Sequence, residues 1–219
     1  MDLNSKKFKK HWGWSRYVYA RVMIKLRSLI GLRVSWVYAK KNDFARLTEL
    51  KAGDYSFRQI QTNDLKDVQN FSILDLSESF VEKAFSRGDQ CVAAFFKNKI
   101  VGYGWYSLVS TEISEGLYLR FNKDCYYQYK SFVIPEHRGN NLLSQITQIK
   151  IGDDKLNRKI TFSCIETHNY SSLTAYKKNG NDKIGCSAFI ENRIGFVNFS
   201  SPNLRNYGIE VSKRSESKN

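Results

Sequence analysis

Between Tyr129 and Leu143 the chain reads as an apolar strand, a proline, an Arg-Gly-polar-polar turn and the start of a helix. Few folds accommodate that order. Pro135 cannot continue a sheet ladder, so the strand must end there. The turn after it leaves the first N–H groups of the helix without acceptors, at the positive end of the helix dipole. Arg138 adds a fixed charge and a fork of donors suited to phosphate. Residues 138–143 therefore form a candidate anion site: Arg138, Gly139, Asn140, Asn141, Leu142 and Leu143. On this stretch alone, an ordinary strand-to-helix turn with a solvated arginine competes equally.

A second segment shifts the balance. Residues 159–166 look like a buried strand, ending at Glu166. Asn169 then suits an N-cap and Gly180 suits the C′ position, so a short helix lies between them. Tyr176 falls about two turns after Asn169 and shares its face. The two segments together resemble the acetyl-CoA-binding motifs of the GNAT superfamily of N-acetyltransferases. The likeness covers roughly residues 125–181, with a compatible pattern over about 55–200. Arg138 and Gly139 match the first motif. Asn141 stands where a middle glycine belongs, and Leu143 where a small residue belongs. Asn tolerates left-handed backbone better than other non-glycine residues, whereas the Leu143 side chain could crowd a pyrophosphate. The second motif ends in Gly180 and Asn181, not Gly-Phe.

The resemblance implies an acyl-CoA donor. Its pantetheine arm would lie against backbone groups of Phe132, Val133 and Ile134 and contact Asn169 near Ser172. Its phosphates would sit at residues 138–143. Tyr176 matches the position that protonates the departing thiolate. The competing reading of Tyr176 is an aromatic closing the helix on the sheet, and that of Asn169 a plain cap. The base is not set by the motifs. Glu166, at the strand end, is the first candidate and His168 the second. A solvated strand-end Glu or His is the alternative for both.

Composition bounds the rest. A chain of 219 residues suits one domain with an appendage. The four cysteines have no C-x-x-C pair and read as free thiols in a reducing compartment. The three histidines lack metal-ligand spacing, so no metal is expected. The net charge of +14 is uneven: residues 1–41 carry eleven Lys/Arg and one acid. That asymmetry points to an anionic partner. An anionic membrane surface and an acidic carrier protein both qualify. Nucleic acid ranks low, because no recognised RNA-binding motif interleaves aromatics with the basic residues. A homodimer is left open.

Along the chain, residues 12–32 read as a helix with Trp14, Val18, Val22, Leu26 and Ile30 on one stripe. Docking of that stripe on the domain or on a second subunit is favoured over membrane contact. No apolar run reaches the length of a membrane span, and no cleavage pattern of a signal peptide follows. The expected location is cytoplasmic, with peripheral attachment at the inner face of the membrane as an option. Residues 34–38 form an extra strand or a connector. Strands follow at 55–61, 90–97 and 99–108, the last two as a hairpin, with helices at 62–71 and 77–87. Residues 116–121 and 125–134 read as another hairpin, with late strands at 184–190 and 194–199.

The expected fold is α/β of the α+β type, a GNAT-like, largely antiparallel sheet with flanking helices and a basic N-terminal extension. The expected division is 1–50 extension, 51–201 acyltransferase domain and 202–219 a partly frayed tail. The expected activity is transfer of an acetyl or other short acyl group from acetyl-CoA or another acyl-CoA to a primary amine, on a small molecule or a protein. Two rivals remain: an enzyme using acyl carrier protein as donor, and a GNAT-shaped binding module without turnover.

Overall fold

The computed structural model describes residues 5–42, 54–61, 64, 73–114, 116–152, 158–192 and 195–213. The chain divides into two compact units. Unit 1 takes Met1–Lys40, Ser110–Asn122 and Phe162–Asn219; unit 2 takes Lys41–Val109 and Lys123–Thr161.

Unit 2 carries β2 (Tyr55–Ile60), α3 (Glu78–Ser86), β3 (Gln90–Phe96), β4 (Lys99–Ser107), β7 (Cys125–Val133) and α4 (Leu142–Gly152). Its strands lie in the order β7-β4-β3-β2, each pair antiparallel. The β3–β4 hairpin turns through Lys97 and Asn98, both left-handed at φ 48° and 62°, the geometry that a two-residue hairpin loop demands. Ser77 caps α3 by accepting from the Phe80 N–H. One sheet face buries Ile60, Ala93, Tyr103 and Trp105 with Val81 and Ala84 of α3. The other buries Val92, Ala94, Val101, Tyr106 and Tyr126 with Leu142 and Ile146 of α4. The expected helix at 62–71 lies almost wholly outside the described residues.

Unit 1 carries α1 (Ser5–Trp12), α2 (Trp14–Ile30), β1 (Leu32–Lys41), β5 (Thr111–Ser114), β6 (Leu117–Arg120), β8 (Ile160–Glu166), α5 (Tyr170–Lys178), β9 (Asp182–Asn192), β10 (Gly195–Ser200) and β11 (Glu210–Ser212). Two strands, β1 and β8, cross the unit boundary by a residue or two. The strand order is β10-β9-β1-β8, with a separate three-stranded sheet β11-β6-β5.

The helix expected over 12–32 runs from Trp14 to Ile30, and a further helix, Ser5–Trp12, precedes it across Gly13, whose φ of 88° no helix accepts. Two expectations need correcting. Residues 116–121 do not pair with 125–134: β6 pairs β5 and β11, while β7 pairs β4. The alternation was read correctly, but short strands do not reveal their partners. The tail is ordered through Ser212: a 3-10 segment at Pro202–Tyr207 buries Leu204, and β11 buries Val211 against β6. Three-residue strands and single 3-10 turns carry no periodicity to detect.

Residues 34–38, read as an extra strand or a connector, lie in a full strand, β1, between β9 and β8. β1 pairs β9 from Leu32↔Ile190 to Ala39↔Asp182. The extension is thus part of the sheet of unit 1. All four cysteines are free and sit in strands; burial and the neighbouring Asp124 push the Cys125 thiol up to about 12.

Candidate active site

The two motif segments fall in different units, and the candidate residues of each are described in turn.

In unit 2, β7 runs into the Pro135–His137 turn and then α4. The turn takes the backbone that the sequence spacing demands: Gly139 has φ 90° and Asn141 φ 57°. Asn141 therefore holds the left-handed position usually given to glycine. The first N–H paired into α4 belongs to Gln145, donating to Asn141 O at 3.2 Å. Those of Leu142, Leu143 and Ser144 precede the helical ladder and have no acceptor within it. The Leu143 side chain does not crowd the turn, because it packs inward on the core beside Leu142 and Ile146. Asn140 Nδ2 donates to Tyr55 Oη at 3.1 Å and to His137 O at 3.0 Å, tying the turn to β2.

The backbone of Phe132, Val133 and Ile134 is less open than expected. Ile134 N–H donates to Val101 O at 2.9 Å. Alternation along the antiparallel ladder directs Phe132 to β4 as well and Val133 to the opposite edge. Of the three, Val133 alone points its backbone away from β4. Its carbonyl accepts from Arg138 Nε at 3.0 Å. Arg138 also lies over the Phe132 ring, 5.9 Å from its centroid. The guanidinium folds back on the strand, leaving both Nη groups outward.

In unit 1, β8 leads into α5. Asn169 caps the helix, its Oδ1 accepting from the Ser172 N–H at 3.3 Å. Ser172 thus enters through its backbone, and Asn169 Nδ2 has no partner among the described residues. The helix closes in a Schellman motif: Asn181 N–H donates to Tyr176 O and Gly180 N–H to Lys177 O. Gly180, at φ 71°, supplies the left-handed residue. Tyr176 lies half-buried with its hydroxyl 2.8 Å from Ser163 Oγ of β8, and its ring 6.3 Å from that of Tyr38.

Glu166 and His168 form one cluster. Glu166 Oε1 pairs with Arg27 Nη1 of α2 at 2.6 Å, and its Oε2 lies 3.3 Å from His168 Nε2. His168 is buried, and its Nδ1 has no hydrogen-bond partner. Burial is the largest influence on this imidazole and holds its pKa below the ordinary value. The Glu166 carboxylate opposes that shift and the Arg27 charge reinforces it. In the tautomer that carries its proton on Nε2, beside Glu166, the lone pair lies on Nδ1. A neutral imidazole with a carboxylate behind it and a free lone pair is equipped to accept a proton. Glu166 is engaged by two partners, Arg27 and His168.

The sequence pointed to none of the supports of this segment. Arg27, Tyr19 and Arg16 sit on α2, read as a recruitment arm. Tyr19 Oη is 2.8 Å from Thr167 Oγ1, and Arg16 lies 5.4 Å from the Tyr170 ring centroid. Phe8 and Trp12 of α1 contact the same ring. These pairs span more than 130 positions, and nothing in local pattern connects them. Ser163 was recoverable in principle, since alternation along β8 puts it on the face of Thr161 and Ile165.

Both units of local structure behind the resemblance, strand–proline–turn–helix and strand–Asn-capped helix, are present. The fold is a mixed α/β one, with largely antiparallel strands and flanking helices. No family model matches the chain, and no curated protein does. Among solved structures, a conserved protein of unknown function from Staphylococcus epidermidis is 12% identical with a TM-score of 0.51, matching 78% of this chain. A GCN5-related N-acetyltransferase from Kribbella flavida is 11% identical, with a TM-score of 0.46 over 80% of this chain. This chain spans 66% of the first and 63% of the second, less than two thirds of either. An aminoglycoside N-acetyltransferase in complex with CoA is 14% identical with a TM-score of 0.42, covering 57% of this chain and 90% of its own. The likeness to the first, at 12% identity, speaks to the fold alone.

Proposed function

We propose that this chain is an acyltransferase that moves an acetyl or other short acyl group from CoA to a primary amine. The observation that carries the chemistry is the buried His168, with Glu166 on one nitrogen and a bare lone pair on the other. The amine nitrogen attacks the thioester carbonyl and gives its proton to the His168 imidazole. The carbon–sulfur bond breaks, and the thiolate takes a proton from the Tyr176 hydroxyl. Glu166 stabilises the imidazolium that forms. The turn of unit 2 fits the CoA phosphates: two left-handed positions, three helix N–H groups and the outward Nη groups of Arg138 suit an anion.

A second reading, with acyl carrier protein as donor, draws support from one observation. Arg138 folds back onto Val133 O instead of extending as a phosphate ligand. Phosphopantetheine lacks the nucleotide part of CoA and asks less of the turn.

The test compares the wild type with His168→Gln. Binding is read by thermal shift with CoA and acetyl-CoA, and turnover by thiol release over a panel of primary amines. The expected result is a shift in both proteins and turnover that falls about a hundredfold or more in the variant. A shift in neither, with turnover on acyl carrier protein, supports the second reading. Silence towards every donor leaves a binding module.

A further inference from the structure

The N-terminal helices present a surface that acyl transfer does not use. The face that α2 turns to its own unit is Arg16, Tyr19, Ala20, Met23 and Arg27. Ala20 and Met23 are buried, and the others bond or stack on Tyr170, Thr167 and Glu166. At about 100° per residue, Trp14, Val18, Val22 and Leu29 fall within roughly 80° of the helix circumference, on the opposite side. Each is exposed: 63%, 41%, 48% and 68% respectively. The sequence expectation favoured docking of the stripe on the domain or on a second subunit, and on the domain it does not dock. Docking is done instead by a face holding two arginines and a tyrosine, and most of the stripe faces outward.

The surroundings of the stripe are cationic. Arg21 lies beside it and Lys25 within its arc, between Trp14 and Val18, both exposed. Lys6, Lys7 and Lys10 of α1 are exposed as well, and Lys9 Nζ sits 4.2 Å from the Trp14 ring centroid. Between residues 3 and 42 the sequence has no Asp or Glu. We propose that α1 and α2 seat the protein on an anionic lipid surface, with Trp14, Val18, Val22 and Leu29 in the acyl boundary and the basic side chains at the headgroups.

Three features select lipid over other occupants. A second copy applied through the same stripe would set Lys and Arg against Lys and Arg, with no acid to compensate. Protein interfaces are depleted in lysine, and four of the exposed basic residues named here are lysines. Long lysine stems can follow apolar surface while their charges stay in water, and a tryptophan beside them suits the interface. Among the described residues no helix is long and apolar enough to cross a membrane, so the helix lies on the surface and does not span it.

The experiment uses the full chain and co-sedimentation with two kinds of vesicle, phosphatidylcholine alone and phosphatidylcholine with phosphatidylglycerol. The wild type should bind the second kind selectively, and raised salt should release it, because exposed charges are screened within about 8–10 Å. Val18→Asp/Val22→Asp should lower partitioning about a hundredfold. Arg21→Gln/Lys25→Gln should lower it roughly ten- to thirtyfold. Both variants should melt within about 2 °C of wild type, since the four positions are exposed. Equal binding to neutral vesicles, or no loss in either variant, overturns the proposal. So does a wild-type dimer that Val18→Asp/Val22→Asp splits into monomers, or a large fall in melting temperature for that variant. The first would show a second copy on the stripe, and the other would show the stripe packed on the protein.

Discussion

Removing the Tyr176 hydroxyl separates two roles that the structure leaves superimposed. The hydroxyl makes a 2.8 Å hydrogen bond to Ser163 Oγ, and the half-buried ring lies beside Tyr38. Tyr176→Phe keeps the ring and deletes the bond. A neutral hydrogen bond contributes about 1 kcal/mol net, so a chain of this size should lose roughly 2–4 °C in melting temperature. Loss of a general acid lowers turnover by roughly ten- to a thousandfold, about 1.4–4 kcal/mol of barrier. The kinetic effect should therefore outweigh the structural one. Turnover is read by thiol release at saturating acetyl-CoA, and donor affinity by titration with CoA. Turnover should fall while affinity stays within about twofold, because the ring is retained. Ser163→Ala supplies the control: it removes the same bond and leaves the phenol. Its melting temperature should fall as in Tyr176→Phe, with a smaller loss of turnover. Unchanged turnover for Tyr176→Phe at saturating donor would reduce Tyr176 to packing and refute the assignment. Equal losses in the two variants would show that the bond matters and the proton does not.

Two further outcomes are expected. Gly31, at φ 69°, would place an added Cβ 1.8 Å from Glu191 O; left-handed strain and overlap with a backbone atom should make Gly31→Ala about 2–5 kcal/mol less stable, and a fall in melting temperature under about 2 °C would contradict that close approach. Arg27→Ala should move the acidic limb of the kcat/KM profile to higher pH, because the Arg27 charge is one of the causes holding the His168 pKa down; an unmoved limb would show that His168 is not the titrating base. In the wild type, His168 is depressed on folding, so the unfolded chain binds its proton first. Stability should accordingly decline as pH falls below about 6.5 towards the lower folded value.

Local chemistry was legible and partnership was not. The turn at Gly139–Asn141, the Asn169 cap and the Gly180 terminus each depend on residues a few positions apart, and the sequence located all three. Asn141 could be assigned left-handed backbone because few residues tolerate it. Ser163 against Tyr176, Arg27 against Glu166 and Tyr19 against Thr167 depend on chain crossings, which no spacing encodes. The α2 stripe misled for a physical reason. Periodicity identifies an apolar face, but it does not say whether protein or another phase covers it. On α2 the docked face uses polar side chains, so the hydrophobic pattern indicated the wrong side. Residues 34–38 were ambiguous because a strand between two others need not alternate cleanly.

The position of β1 also bears on synthesis. Its hydrogen-bonding partners on β9 are made late: Leu32 meets Ile190 and Ala39 meets Asp182, with roughly 150 residues between partners. A chain emerging amino end first exposes α1, α2 and β1 long before those partners exist. The strands of unit 2, β2, β3, β4 and β7, are complete by Val133 and can pair in the meantime. Unit 1 closes only when the carboxyl-terminal strands are released, so its contact order is high and its docking late. During that interval the stripe of α2 and the open edges of β1 are available together, and whatever surface receives the nascent helix first has the opportunity to hold it.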